Sequence, residues 1–108
     1  MIETENVNHV DLFERILSVI AKAHGLKVLR ALKSGEKSQK DIAFDIRVDK
    51  AIVHRRLKEF KEMGLVEERF DYNDRLLKYR LTDLGKQILE WLESAEPLIP
   101  IIRKYIKS

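Results

Sequence analysis

Between positions 47 and 58 the chain runs RVDKAIVHRRLK, five basic residues against the single acid Asp49. Val53, Leu57 and Phe60 recur at the spacing of one helical face, with Ile52 beside them, so a helix here has one side to bury and another to show. The shown side carries Lys50, Ala51, His54, Arg55 and Lys58, with Arg56 turned either outward or toward a neighbouring acid. These are donors and positive charges gathered at one end of a helix, the chemistry that contacts a polyanion. Positions 59–68 reverse the sign, with Glu59, Glu62, Glu67 and Glu68 against Lys61. The bland alternative is a solvated charged face, and the segregation of base from acid argues against it. A second basic cluster lies in RFDYNDRLLKYR, where Arg75 follows Asn73-Asp74 and Arg69, Lys78 and Arg80 flank them.

Other chemistries lack their residues. Cysteine is absent, which removes disulfides, thiolate metal sites and thiol nucleophiles. His9, His24 and His54 are scattered, with no H-x-x-H or H-E-x-x-H, and His9 with Asp11 is too poor a ligand set for a metal. No Ser-His-Asp order or apolar carboxylate pair suggests catalysis, and four glycines leave no nucleotide-binding loop. No enzyme activity, metal or cofactor is expected. The 108 residues, 36% charged and 44% hydrophobic with a net charge of +3, suit one folded domain and permit a polyanionic partner. No apolar run approaches the roughly 20 residues of a membrane span. The polar, acidic start at 1–11 does not read as a signal peptide. The expected location is cytoplasmic, with the nucleoid. Abundant Glu and Lys, two Gln and no Cys lean toward the composition of thermophile proteins.

The elements that would position these residues are legible from period and punctuation. A helix over 10–23 is apolar over a wide arc, with Val10, Phe13, Leu17 and Ile20 in one row and Leu12, Ile16 and Val19 in another. A helix apolar on that scale is buried on more than one side. His24-Gly25 interrupts it, and a second helix runs to Lys33, ended by Ser34-Gly35. Ser38 caps a short helix over 38–45 with Asp41 in the capping-box place, and Ile42 and Ala43 point inward. A tight turn through Arg47 leads to Asp49, the N-cap of a longer helix running to Met63 and closed by Gly64. Residues 65–82 alternate with period two about Asn73-Asp74 and predict an antiparallel hairpin. A helix over 83–95 and a short amphipathic one over 98–106 follow, with Pro97 and Pro100 between or within them.

The order helix, helix, short helix, tight turn, longer helix, hairpin resembles a winged helix-turn-helix. SQKDIAFDIRVDKAIVHRRLKEFKEMGLV, at 38–66, is similar to the helix-turn-helix of many bacterial and archaeal regulators. HGLKVLRALKSGEKS and YRLTDLGKQIL resemble the second helix and the junction after the wing in the MarR and ArsR families. The likeness spans roughly residues 20 to 90. One departure is Arg47, at a turn position often occupied by glycine in these families because it commonly needs positive φ.

The resemblance implies a mainly α fold with a small β-hairpin, a DNA-binding core near 24–82, and added dimerisation helices at 9–23 and 83–107, in one domain over 1–108. It implies that the protein is a sequence-specific regulator of double-stranded DNA, working as a homodimer on a pseudo-palindromic operator and repressing by occlusion. The recognition helix would use Lys50, Ala51, His54, Arg55, Arg56 and Lys58. Ser38, Gln39, Lys40 and Arg47 would contact DNA from the preceding helix and turn, and Arg69, Asn73, Arg75 and Lys78 from the wing. Arg55 suits the O6 and N7 acceptors of guanine, Ala51 a thymine methyl, His54 donation to a base or phosphate, and Arg75 a narrow minor groove. The terminal helices hold more apolar surface than one small core buries, which nominates Phe13, Leu17, Ile20, Trp91, Leu98, Ile102 and Tyr105 for the dimer interface. MarR-like dimers can hold small aromatic ligands, and Phe13, Trp91 and Tyr105 could line such a pocket or simply pack; no particular effector is implied. A protein-interaction module of the same fold, or a non-specific architectural DNA binder, remains the alternative.

Overall fold

The computed structural model describes residues 9–106. The polar stretch 1–8, and residue 107 of the expected dimerisation segment, lie outside the described residues. The chain runs α1 (His9–Ile20), α2 (Gly25–Ala31), β1 (Lys37–Ser38), α3 (Gln39–Ile46), α4 (Lys50–Glu62), β2 (Val66–Asp71), β3 (Leu76–Leu81), α5 (Asp83–Glu93), a 3₁₀ turn (Glu96–Leu98) and α6 (Ile99–Tyr105). This is the expected mainly helical architecture. α1 ends earlier than its apolar pattern suggested, because the chain turns over 21–24 and His24 takes a left-handed conformation at φ 63°. The helix after the wing likewise ends at Glu93 rather than near 95.

The hydrophobic periodicities resolve into one core. Val28 and Leu29 of α2, Ile42 and Ala43 of α3, and Val53, Leu57 and Phe60 of α4 are buried together, with Leu65, Val66, Tyr79, Leu81 and Leu89 closing the far side. Burying side chains of this size stabilises by about 1.5–3 kcal/mol each, so α4 is held firmly by one face. The sheet has three antiparallel strands in the order β1-β3-β2, one more than the expected hairpin. β2 pairs with β3 from Val66↔Leu81 to Asp71↔Leu76, and β1 adds Lys37↔Tyr79 and Ser38↔Lys78. A two-residue strand is too short to leave a period in a sequence; only its partner across space defines it.

Local chemistry sets the joints. Ser38 Oγ accepts from the Asp41 N–H at 3.1 Å, and Asp49 Oδ1 from the Ala51 N–H at 3.0 Å, as their N-cap positions predict. At the wing-to-helix joint, Thr82 Oγ1 accepts from the Gly85 N–H at 3.0 Å and donates to the Gly64 carbonyl at 2.6 Å. The Thr82 N–H donates to the Leu65 carbonyl at 3.0 Å. The first turn of α5 thereby lies on the backbone that follows α4. A Cβ at position 85 would sit 2.1 Å from Leu65 O, and one at position 25 would sit 2.4 Å from Ile20 O. Both glycines are therefore required by close approach of backbones, which explains the T-x-x-G of the junction in physical terms.

Gly85→Ala is expected to lower the unfolding free energy by about 3 kcal/mol, the cost of overpacking against unyielding backbone. Thr82→Ala should cost about 1 kcal/mol through loss of the cap. Urea midpoints at unchanged slope measure both, and a neutral Gly85→Ala would refute the close-approach reading.

Candidate nucleic-acid interface

Asp49 starts α4 and the burial of Val53, Leu57 and Phe60 orients it, so the opposite side faces solvent. Lys50, Ala51, His54, Arg55 and Lys58 are all exposed there. Among the described residues, Arg47, Lys50, Arg55 and Lys58 form no ion pair. Three of the four acids farther along are engaged instead, Glu59 by Lys22 at 2.7 Å, Glu68 by Lys61, and Glu67 by Arg80 at 2.6 Å, while Glu62 is exposed and forms no ion pair among the described residues. Like charges gathered without acid partners leave a locally positive surface.

Arg56 does not belong to that surface. It is 6% exposed, and its Nε lies 3.0 Å from Glu59 Oε1 as an ion pair in which neither atom makes a hydrogen bond. Its place in the helical repeat is beside Val53 and Leu57, where the core takes the aliphatic stem. Ser38 is also buried, with its hydroxyl spent on the α3 cap. Gln39 is half-buried and engaged within the protein, its amide reaching the Lys50 carbonyl and the His54 ring. Lys40 is exposed on α3 and forms no ion pair among the described residues. Arg47 takes the left-handed conformation expected of its turn position, at φ 57° and ψ 50°, with the Val48 N–H donating to Ala43 O at 3.1 Å. For a side chain with a Cβ that conformation costs on the order of 1 kcal/mol. Phe44, just before the turn, is 82% exposed. No periodic signal in the sequence marks it, because a single exposed aromatic in a short helix breaks no pattern.

The wing departs further from expectation. Arg69 makes a two-pronged contact with Glu36, at 2.9 and 2.6 Å, and approaches Asp71 at 3.7 Å. Lys78 lies 3.0 Å from Asp71 and 2.6 Å from Asp74. Two expected DNA contacts are thus neutralised by three acids, and the hairpin end is no concentrated positive patch. Arg69↔Lys78 and Glu67↔Arg80 share one face of the sheet, while Phe70↔Leu77 continue the buried Val66↔Leu81 face outward. Phe70 meets Tyr72 edge-on at 4.8 Å. At the tip, Asp71 Oδ1 accepts from the Asn73 and Asp74 N–H groups at 2.9 and 3.2 Å. Arg75 follows in a left-handed conformation, exposed and without an ion pair among the described residues. The acids were in plain view in the sequence, but their pairing depends on strand register and on Glu36 arriving beside β3.

The residues expected at a dimer interface divide too. Ile20 is buried in the protomer's own core, and Leu17 is half-buried beside it. Phe13, Trp91, Leu98, Ile102 and Tyr105 are exposed, and Phe13 and Trp91 rings tilt against each other at 5.1 Å. Tyr105 stands 80% exposed, so these three aromatics form no enclosed pocket in one protomer. Among the described residues no group of three His, Cys, Asp or Glu is placed to hold a metal, and no helix is long and apolar enough to cross a membrane.

The ion pairs shift their members' titration. Lys78 beside it, helped by the Asp74 and Asn73 N–H groups, holds Asp71 below the usual carboxylate range, and Arg69 does the same to Glu36. A lowered folded pKa contributes stability that is full above the ordinary carboxylate value of about 4 and is lost as pH falls through the lowered value. Carboxyl NMR should find Asp71 titrating below that ordinary value, and Lys78→Met should move it upward. An Asp71 that titrates identically in both proteins would dissolve the network.

Comparison with known proteins follows this geometry. Residues 26–68 match the helix-turn-helix of the arsR family of bacterial regulatory proteins. No curated protein matches the sequence. Among solved structures, a transcriptional regulator of the MarR family from Enterococcus faecalis superposes with a TM-score of 0.76 at 20% identity, covering 92% of each chain. The homodimeric winged helix-turn-helix DNA-binding domain of Mb0332 from Mycobacterium bovis gives 0.71 at 21% identity over 82% of each chain. The transcriptional repressor BigR from Xylella fastidiosa gives 0.70 at 21% identity, covering 87% of this chain and 93% of its own. Over residues 26–68 the chain is thus similar to the arsR-family helix-turn-helix, and its fold is the winged helix-turn-helix of these structural neighbours.

Proposed function

We propose that the protein is a DNA-binding transcriptional regulator that places α4 in the major groove as a homodimer, on a pseudo-palindromic operator, and represses by occlusion. The observation that carries this reading is the exposed side of α4, where Lys50, Arg55 and Lys58 stand without acid partners among the described residues while Glu59, Glu67 and Glu68 beyond them are paired. An interaction module of the same fold has no need of such a side. Arg55 is the candidate base reader, because its planar guanidinium matches guanine O6 and N7 together. Lys50, Lys58, Lys40 and the strained Arg47 turn are candidates for phosphates, with Ala51 small enough to let the helix end approach. At the wing, Arg75 is the remaining cationic candidate for the minor groove, with Asn73 beside it.

A second copy of the chain is the proposed occupant of the apolar face. Val10, Leu12 and Phe13 on α1, with Leu98, Ile99, Ile101, Ile102 and Ile106 around α6, are exposed in the protomer. The radius of gyration is 15.6 Å, against about 13 Å for a compact chain of this length. The excess fits α1 and α6 reaching beyond the core as arms, while α5 stays packed on it through Gly85 and Leu89. A two-fold pair would set two α4 helices in successive major grooves about 34 Å apart. The proposed division of the single domain 1–108 is a DNA-binding core near 24–82 between these arms.

Selection of bound DNA from random sequence tests the function, and an inverted repeat is the expected result. On that site, Arg55→Ala should cost about 1–3 kcal/mol at one base position in each half-site while non-specific affinity falls less. Uniform weakening on every sequence would make Arg55 a phosphate contact instead. Removing residues 97–108 should weaken the dimer or cause aggregation by light scattering; a truncated protein that stays a soluble dimer would clear α6 of the interface.

A further inference from the structure

The first residue of α3 reaches the first two turns of α4. Gln39 Nε2 donates to the Lys50 carbonyl oxygen at 3.3 Å, and Gln39 Oε1 lies 3.1 Å from His54 Nδ1. The chemistry of the partners leaves one arrangement. A carbonyl oxygen accepts and never donates, so the amide nitrogen must be the end that faces Lys50. The amide oxygen then faces the ring, and because it too only accepts, Nδ1 must carry the proton. A neutral imidazole has one N–H, so its Nε2 is a bare acceptor. His54 is exposed on the side of α4 that carries Lys50 and Lys58, one helical turn away on either side. The expected donor is therefore, in its neutral form, an acceptor set between two of the cations of that surface.

Resting on the reading of α4 as the groove helix, we infer that Gln39 is a positioning residue that fixes His54 as a hydrogen-bond acceptor, so that His54 selects a base presenting an exocyclic amino group. In the major groove those groups are adenine N6 and cytosine N4, whereas guanine O6 and N7 and thymine O4 only accept. Gln39 contributes to specificity without touching DNA. Its amide ties the start of α3 to the start of α4, so the ring is held in plane and tautomer before any DNA arrives, and less ordering remains to be done on binding. Protonation reverses the selection, since Nε2 then becomes a donor. The charged residues of α3 are Lys40, Asp41 and Asp45, and those of α4 within a turn of His54 are Lys50, Arg55, Arg56 and Lys58; Asp45 is paired with Lys37, and one oxygen of the Asp49 carboxylate accepts from the Ala51 N–H. Among the described residues no carboxylate pairs with His54.

The experiment has one arm without DNA and one with it. Long-range ¹H–¹⁵N spectra of the full chain, at a pH where the same spectra report a neutral ring, should show His54 protonated at Nδ1. Gln39→Ala should return it toward the Nε2–H form that predominates in free histidine. An Nε2–H ring in the unsubstituted protein overturns the inference regardless of what the protein binds. In the second arm, binding to the selected site is measured with each of the four bases at every half-site position. One position should prefer adenine or cytosine by about five- to tenfold, the worth of one hydrogen bond. That preference should vanish in His54→Ala, shrink in Gln39→Ala, and collapse at a pH where the ring is protonated. A selected site with no such position overturns the reader role and leaves the function standing. Failure to enrich any DNA, with the Nδ1–H form present, overturns the DNA-binding reading and the reader role with it, while the tautomer assignment survives.

Discussion

What α4 offers to solvent depends on what it commits to the core. Val53, Leu57 and Phe60 are buried to within 1% of completely, and each is worth far more inside than out. Their burial sets the rotation of the helix about its axis, and with it the outward direction of Lys50, His54, Arg55 and Lys58. Arg56 shows the same constraint from the other side. Its position places it over the core, so its stem is buried and its charge is met by Glu59, which Lys22 also holds. A basic residue in a basic run is thus removed from the surface by helical register alone.

Tight backbone contacts transmit that orientation to the rest of the domain. Gly85 lets α5 lie on Leu65, and Thr82 bonds at once to α5 and to the segment after α4. Gly25 does the same for α2 against the end of α1. These joints leave little freedom for α4, the wing and α5 to move independently, because a packed interior has few intermediate arrangements. The turn at Arg47 sits at the other end of this frame. A left-handed arginine is tolerated there because Ala43, Val48 and the Asp49 cap determine the path on both sides.

The charge pattern divides the molecule by function. Around the wing and the far end of α4, basic and acidic groups meet in pairs, which in exposed settings add little stability but remove net field. Near the turn and the start of α4, Asp45 meets Lys37, but Arg47, Lys50, Arg55 and Lys58 form no such pair among the described residues. The field of the protein at that end is therefore set by few residues, and a hydrogen-bonded unit, Gln39 with His54, is embedded among them.

Helices, caps and anchors were legible in the order of residues because their causes are local. A 3.6-residue apolar period, Ser38 and Asp49 ahead of helices, and Gly64 after one act within a turn or two of the chain. The resemblance of 38–66 to a helix-turn-helix rests on that same local pattern, as does the candidate surface of Lys50, Arg55 and Lys58. Whatever required two distant segments to meet was not legible. β1 exists through its pairing with β3, Arg69 and Lys78 are held in ion pairs by Glu36, Asp71 and Asp74, and Ile20 turned into its own core rather than toward a neighbour. The sense in which His54 hydrogen-bonds was decided by an amide fifteen residues earlier. Composition and spacing state which charges and donors a segment carries; strand register and helix packing decide which of them find a partner first and which are left for a ligand.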